Sequence, residues 1–117
     1  MKLIDTSVLI DMLRKKSYEA GAISVITLIE VLRGIRAEKR GRVKKLIEES
    51  FEVLNLDNEV IETYCNLYNA FKERGEMVPE ADLLIASTAI SHGLVLKTRD
   101  KDFNKLKPLG LEVELSS

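Results

Sequence analysis

The stretch MKLIDTSVLIDML, residues 1–13, sets an apolar run of strand length directly before a helical pattern. Its first four residues have the hydrophobicity of a short β-strand. The Asp-Thr-Ser triplet that follows contains residue types that cap the N-termini of helices. The stretch therefore predicts a strand that ends at Ile4 and a helix over about Val8–Lys15.

The same alternation continues along the chain. Further strands are predicted near Ala22–Ser24 and at 51–56, 94–97 and 109–113. Further helices are predicted at about Val25–Ile35, Glu38–Glu49, Asn58–Arg74 and Pro79–His92. Ser24 and Asp57 are residue types that cap helices, and Gly93 stands where a helix commonly ends in a left-handed residue. Alternating strands and helices imply right-handed crossovers and a parallel sheet covered on both faces. We therefore predict one α/β domain over residues 1–117, with a central, mostly parallel sheet flanked by helices in three layers.

Composition narrows the class of protein. The chain has 117 residues, of which 45% are hydrophobic and 32% charged, which is typical of one globular domain. No apolar run approaches the roughly 18 to 20 residues of a membrane span, and the opening run meets an acid at Asp5, so we expect a cytoplasmic protein without a membrane segment. The single cysteine, Cys65, shares a helical pattern with Ile61 and Tyr68 and is predicted to be a small buried hydrophobe.

Four carboxylates lie where an acid is costly. Asp5 ends the first apolar run, Glu30 interrupts ISVITLIEVL, Asp82 precedes LLIASTAI and Asp100 follows VLKT. Ionised acids are rarely buried without a partner, and a bound Mg²⁺ or Mn²⁺ ion would explain all four together. Sites in parallel sheets form beyond the carboxyl ends of the strands, so Asp5 and Asp100 are predicted to share one edge of the sheet.

The other two acids are predicted to lie on helices. Glu30 shares a face with Thr27 and Gly34, which makes a polar and open strip on an otherwise apolar helix. Asp82 shares the apolar face of its helix with residues such as Ile85, so its side chain is expected to point inward.

Each acid also has an ordinary structural explanation. These explanations are Asp5 as a helix cap, Asp82 as the partner of a helix dipole, Glu30 as the ion-pair partner of Arg33, and Asp100 with Asp102 as turn residues. A joint metal site is favoured because four separate coincidences would otherwise meet at one edge. His92 is predicted to be structural beside Gly93, and no nucleophilic triad or Gly-rich phosphate loop is present. Hydrolysis by a metal-activated water is the chemistry that remains.

A basic stretch follows the helix of Glu30. Residues 33–45 contain seven lysines and arginines and one acid, although the net charge of the chain is −1. Such a stretch is suited to a polyanion that approaches a metal site, because Lys and Arg neutralise phosphates without sequence preference. A solvated helix face explains the pattern equally well. The candidate contacts are Arg33, Arg36, Arg40 and Lys44.

Several motifs resemble those of a known family. The segments LIDTSVLID (3–11), ISVITLIEVLRG (23–34), VPEADLLIASTAISHGL (78–94) and VLKTRDKDF (95–103) are similar to the motifs of PIN-domain ribonucleases, specifically the VapC-type toxins of prokaryotic toxin–antitoxin pairs. The match runs in order over nearly the whole chain. The connection between the first helix and the second strand is shorter than is usual in the family, so the details of the substrate groove are expected to differ. The resemblance implies a PIN-like fold and a metal-dependent endoribonuclease.

The resemblance also implies roles for individual residues. It places the family's acids on Asp5, Glu30, Asp82 and Asp100, with Asp102 as an accessory acid and with hydroxyl support from Thr6, Ser7 and Thr98. We expect Asp5, Asp82 and Asp100 to bind Mg²⁺ (or Mn²⁺) directly, and Glu30 to act through water or to orient the nucleophile.

The partners implied are RNA, a small antitoxin protein and a second copy of the chain. The helix predicted from Asn58 has more apolar surface than one stripe requires, so part of it is expected to face a second subunit or an inhibitor helix. We expect the antitoxin to dock an apolar segment on this surface and to present a basic residue toward Asp5, Glu30, Asp82 and Asp100. This surface comprises Val60, Ile61, Tyr64, Leu67, Tyr68 and Phe71.

Two other functions are compatible with parts of the pattern. In a receiver-like signalling domain, Asp57 would be the phospho-acceptor and Lys97 its basic partner, but Glu30 and Asp82 would have no role. A PIN-like module that binds RNA without cutting it is the second alternative, and the complete set of acids argues against it.

Overall fold

A computed structural model describes residues 1–116 and has a three-layer α/β architecture. The strands are β1 (Lys2–Ile4), β2 (Ala22–Ser24), β3 (Glu52–Leu54), β4 (Val95–Thr98) and β5 (Val113–Leu115). The helices are α1 (Thr6–Lys15), α2 (Val25–Arg33), α3 (Ala37–Ser50), α4 (Asn58–Glu73), α5 (Glu80–His92) and a 3₁₀ helix (Lys101–Leu109). All four strand pairings are parallel, in the order β3-β2-β1-β4-β5. The predicted fold class is confirmed.

The core consists of two apolar clusters, one on each face of the sheet. Successive strand residues point to opposite faces, so Leu3 belongs to one cluster and Ile4 to the other. Helices α1, α2 and α3 cover the face of Ile4, and α4, α5 and the 3₁₀ helix cover the face of Leu3. None of the helices within residues 1–116 is long and apolar enough to cross a membrane.

Helix boundaries agree with the predicted caps. The Ser24 side chain accepts a hydrogen bond from the backbone N–H of Ile26 at 3.0 Å, and Asp57 accepts one from that of Val60 at 2.9 Å. Gly93 ends α5 with a φ of +64°, a conformation that glycine adopts without strain.

Two predictions were wrong. The last strand lies at Val113–Leu115 instead of 109–113, because the chain first forms the 3₁₀ helix, whose Phe103 and Leu106 are buried in the core. Cys65 is exposed instead of buried. The buried stripe of α4 contains Val60 and Leu67, and Cys65 points away from it.

The pairing of β1 with β4 creates the edge on which the acids lie. Ile4 pairs with Lys97, and the next backbone N–H, that of Asp5, donates a hydrogen bond to the Lys97 carbonyl at 2.9 Å. The carboxyl ends of these two parallel strands therefore lie side by side, as the sequence predicted. We call this region the acid edge; it comprises Asp5, Thr98 and Asp100, together with Glu30 of α2 and Asp82 of α5.

Candidate metal centre

Asp5 is the most deeply buried acid of the acid edge. It is 6% exposed at the end of β1. Its Oδ2 accepts a hydrogen bond of 2.6 Å from the Thr98 hydroxyl, and the Thr98 hydroxyl in turn accepts one of 3.1 Å from the backbone N–H of Asp100. Asp5 is the N-cap residue of α1, but its side chain makes no capping hydrogen bond. Capping therefore does not explain the acid at this position.

The environment of Asp5 disfavours its ionised form. Burial raises the pKa of this carboxyl above its usual value, and the hydrogen bond from Thr98 opposes the shift. Glu30 and Asp100 raise the pKa further because their negative charges are close. The three acids therefore lie within electrostatic range of one another.

Asp82 lies in the first turn of α5 and is partly buried. Burial raises its pKa to about 6, with further contributions from the charges of Asp5, Asp100, Glu30 and Asp102. Ile85 on the same helix face is buried, so the predicted inward direction of Asp82 is consistent with the packing. Acids predicted from three other segments of the chain thus act on this one carboxyl group.

Glu30 extends from α2 to the N-terminus of α1. Its Oε1 accepts a hydrogen bond of 2.7 Å from the hydroxyl of Thr6, the first residue of α1. Its Oε2 lies 3.7 Å from the guanidinium of Arg33, so the predicted ion pair is also present. Arg33 is 72% exposed, and a pair this exposed contributes little stability.

The remaining supporting residues are more exposed. The Ser7 hydroxyl lies at 3.5 Å from Asp5 Oδ2, at the limit of a hydrogen bond. The backbone N–H of Asp102 donates to Asp100 Oδ1 at 2.9 Å, so Asp100 does act as a turn residue, while its other oxygen has no such partner among the described residues. Thr27, which the sequence placed beside Glu30 without assigning it a role, is fully buried and 3.0 Å from Thr6.

The donor chemistry of the acid edge fits a hard divalent cation. All the candidate ligands are oxygens, and a cation would relieve the repulsion between them. Within residues 1–116, however, no three acidic, histidine or cysteine side chains are already gathered closely enough to hold a metal by themselves. This open arrangement suits Mg²⁺ better than a closed protein cage does, because Mg²⁺ keeps several waters and takes one or two carboxylates plus substrate phosphates.

The basic candidates lie at the end of α2 and on α3. Three of them form exposed ion pairs, which contribute little stability and leave the cations available to phosphate. These pairs are Arg33 with Glu30, Arg36 with Glu38 at 2.8 Å, and Lys44 with Glu48 at 2.9 Å.

Arg40 has a different role from the other basic candidates. Its guanidinium donates to the carbonyls of Leu32 and Ile35, both at 3.2 Å. The Leu32 carbonyl, in the last turn of α2, also accepts a hydrogen bond from the backbone N–H of Ile35 at 3.0 Å, and Ile35 lies between α2 and α3. Arg40 therefore holds the connection between α2 and α3, and its substitution is expected to disturb structure as well as charge.

Two apolar surfaces lie outside the acid edge. A groove of about 400 Å³ runs between α1 and α2, is lined by Ile10, Leu13 and Val31, and reaches Glu30. On the opposite side of the molecule, Ile61 and Tyr68 are 48% and 50% exposed on α4. This second surface, which we call the α4 face, also includes Tyr64, Met77 and Val78 around a groove of about 590 Å³. Of the residues predicted for this surface, Val60, Leu67 and Phe71 are buried in the core, so the exposed apolar surface of α4 is smaller than predicted.

Comparison with known proteins identifies the family. A model of the PIN domain matches residues 2–108. Ribonuclease VapC1 of Methanocaldococcus jannaschii is 41% identical over 115 residues, which cover 95% of this chain and 85% of that protein. Two solved structures align over nearly the whole chain. The first is VapBC2 of Rickettsia felis bound to a fragment of promoter DNA, with a TM-score of 0.83 and 21% sequence identity; the alignment covers 99% of this chain and 98% of the chain in that structure. The second is VapBC-5 of Mycobacterium tuberculosis, with a TM-score of 0.74 and 28% sequence identity; the alignment covers 98% of each chain.

The chain belongs to the PIN-domain family. Within that family it is most readily compared with the VapC ribonucleases, which it matches over most of their length. The expected family and fold are therefore confirmed, and the receiver-like alternative is wrong. Asp57, which that alternative required as a phospho-acceptor, is the cap of α4.

The raised pKa of Asp82 predicts a pH-dependent effect of Asp82→Asn on stability. The unfolded chain loses this proton near 3.8 and the folded chain near 6, so wild-type unfolding free energy falls as pH rises between those values. The variant lacks this loss. In EDTA, we expect it to be more stable than wild type by about 1 kcal/mol above pH 6, a figure reduced for solvent screening because Asp82 is partly exposed.

Urea unfolding at pH 4 and pH 7.5 measures this difference. Asp57→Asn is the matched control, because Asn also caps helices and Asp57 is not among the charges that act on Asp82. An advantage of Asp82→Asn that is the same at both pH values would contradict the electrostatic account.

Proposed function

We propose that this chain is a metal-dependent endoribonuclease, the toxin of a VapC-type toxin–antitoxin pair. The observation that carries the proposal is the acid edge, where burial, and to a smaller extent the charges of Glu30 and Asp100, raise the pKa values of Asp5 and Asp82. Membership of the PIN-domain family and the names of the relatives support the same activity. A cytoplasmic location, where RNA is available, is part of the proposal.

In this proposal Asp5, Asp82 and Asp100 hold Mg²⁺ or Mn²⁺. When bound, the ion would lower the pKa of a water and offset the charge that develops on the phosphodiester. Thr98 holds Asp5 Oδ2 in place and ties it to the loop of Asp100. Glu30, whose charge acts on both Asp5 and Asp82, would orient the attacking water or accept its proton. The protein supplies charge and position at a site open to a long polymer.

RNA cleavage is expected to require each acid. Asp5→Asn, Asp82→Asn and Asp100→Asn remove ligand charge while almost preserving side-chain volume, and each should lower kcat roughly a hundredfold or more. Glu30→Gln should have a comparable effect. The measurement is cleavage of a labelled RNA pool with Mg²⁺ or Mn²⁺ and with EDTA.

Asp57→Asn again serves as the control and should retain the wild-type rate. Equal rates for wild type, Asp5→Asn and Asp82→Asn would assign the activity to a contaminant or to another site. Binding of RNA without cleavage by the wild-type protein in either metal would favour the non-cutting module.

The basic stretch should contribute to affinity for RNA. Arg36 and Lys44 lie on the surface in weak ion pairs, and we propose that they and Arg33 contact phosphates, with Arg40 mainly supporting the backbone. Replacing Arg36 and Lys44 by Gln should weaken binding, because fewer counterions are released.

The non-cleaving Asp82→Asn background permits a direct binding measurement. In that background, the slope of log Kd against log salt should fall by roughly 0.7 for each phosphate that the variant no longer neutralises. Lys105→Gln with Lys107→Gln, two exposed lysines of the 3₁₀ helix, is the matched control for net charge. A slope unchanged from the parent would leave the stretch as a solvated face.

We also propose that the two apolar surfaces bind different partners. A second copy of the chain would pack on the α4 face. The antitoxin would place an apolar segment in the groove between α1 and α2, where a basic residue reaches Glu30 and competes with metal or phosphate. Antitoxin binding at this groove replaces the α4 face that the sequence suggested, because the groove adjoins the acid edge. The VapBC structural neighbours support an antitoxin partner.

Two substitutions separate these interfaces. Tyr68→Glu should convert a dimer into a monomer by light scattering while the protein still copurifies with the product of the adjacent antitoxin gene. Leu13→Asp should abolish copurification and inhibition while the protein remains a dimer. A wild-type monomer that is fully active in the presence of that gene product would refute both assignments.

A further inference from the structure

A row of three side-chain oxygens connects the interior of the α1–α2 interface to the acid edge. Thr27 Oγ1 lies 3.0 Å from Thr6 Oγ1, and the Thr6 hydroxyl donates to Glu30 Oε1 at 2.7 Å. Thr27 is one helical turn before Glu30 on α2 and is fully buried. Thr6 begins α1, so the row crosses from α2 to α1 and returns to α2.

Donor and acceptor chemistry fixes the direction of this row. An ionised carboxylate only accepts, and a threonine hydroxyl has one proton to donate. The Thr6 proton is directed to Glu30, so Thr6 can only accept from Thr27. Thr27 is buried from water, and Thr6 is its one side-chain partner among the described residues. The protons therefore point from Thr27 through Thr6 to Glu30, an order in which each hydrogen bond strengthens the next.

This order leaves the two carboxylate oxygens of Glu30 in different situations. Oε1 is held from the interior, whereas the ion-pair partner of Oε2 among residues 1–116 is the exposed Arg33, at 3.7 Å. Oε2 is thus the oxygen available to a water or to a ligand at the acid edge. The Thr6 hydroxyl is engaged on both sides, so the support that it gives to the acid edge acts through Glu30.

We propose that Thr27 is a positioning residue for Glu30 and acts through the Thr6 hydroxyl. The two threonines fix the side-chain rotamer of Glu30 and present Oε2 to the reacting groups. The inference rests on the proposed nuclease function, since Glu30 has a reaction to serve only if RNA is cleaved at this edge. It also identifies a residue that carries no charge, lies outside the acid edge and still controls the rate.

The test compares Thr27→Val, which keeps the shape and removes the hydroxyl, with Thr27→Ser, which restores the hydroxyl. With Mg²⁺ and one defined RNA, Thr27→Val should lower kcat about tenfold or more with little change in KM, as for other residues that orient a site from outside it. Thr27→Ser should recover most of the rate, and Thr6→Ala should match Thr27→Val. The control is Thr88→Val, another fully buried threonine, whose hydroxyl donates to the Leu84 carbonyl on α5.

Combination with Glu30→Gln distinguishes positioning from a general structural effect. If Thr27 acts through Glu30, Thr27→Val should cause no further loss of rate in the Glu30→Gln background. The proposal would be overturned by an equal further loss in that background, by a loss matched in Thr88→Val, or by a wild-type rate for Thr27→Val.

The wild type, Thr27→Val, Glu30→Gln and the double variant also form a double-mutant cycle that urea unfolding measures without reference to activity. Thr27→Val and Glu30→Gln should be non-additive in unfolding free energy, because the first removes the donor that begins the row and the second removes the charge of the acceptor that ends it. Additive effects would refute the row itself. If the unfolding free energies are non-additive but the wild-type protein fails to cut RNA, the proposed function would be refuted and the hydrogen-bonded row would stand.

Discussion

Burial of the Asp5 carboxylate is the constraint on which the acid edge depends. The side chain is 6% exposed, and its desolvation disfavours the charge that any role in metal binding requires. The Thr98 hydroxyl offsets part of that cost with a hydrogen bond of 2.6 Å. This bond exists only because β1 and β4 pair in parallel with Ile4 opposite Lys97. A contact between residues far apart in sequence therefore determines the state of the first acid.

The position of the acids at helix N-termini reduces the cost of gathering them. Asp5 precedes α1, Asp82 lies in the first turn of α5, and Asp100 precedes the 3₁₀ helix. Partial positive charge at these ends favours carboxylates, but it does not cancel their repulsion, because the pKa of Asp82 is still raised to about 6. The folded protein thus carries an unfavourable charge arrangement at the acid edge, which a bound divalent cation would relieve.

Much of this arrangement was predictable because its signals are local. Acids that interrupt apolar runs marked Asp5, Glu30 and Asp82, and caps such as Ser24 set the helix boundaries. The parallel topology also placed Asp5 and Asp100 at one edge of the sheet, but individual side-chain contacts between distant segments were not predictable. Tertiary packing determines which face of α4 is buried, and Cys65 lies on the exposed face. Arg40 donates hydrogen bonds to carbonyls at the end of the preceding helix, a contact that its sequence position does not indicate. Thr27 was visible three residues before Glu30, but its partner on α1 was not.

The proposed nuclease depends on a divalent cation held at the carboxyl edge of the sheet by Asp5, Asp82 and Asp100. Anomalous scattering from a crystal of the wild-type protein grown with Mn²⁺ tests it most directly. We predict a single peak at the acid edge, roughly 2.0 to 2.2 Å from an oxygen of at least one of these aspartates and absent in Asp5→Asn crystals, with the remaining coordination by water. A peak elsewhere on the molecule, or no peak at the acid edge in saturating Mn²⁺, would contradict the account.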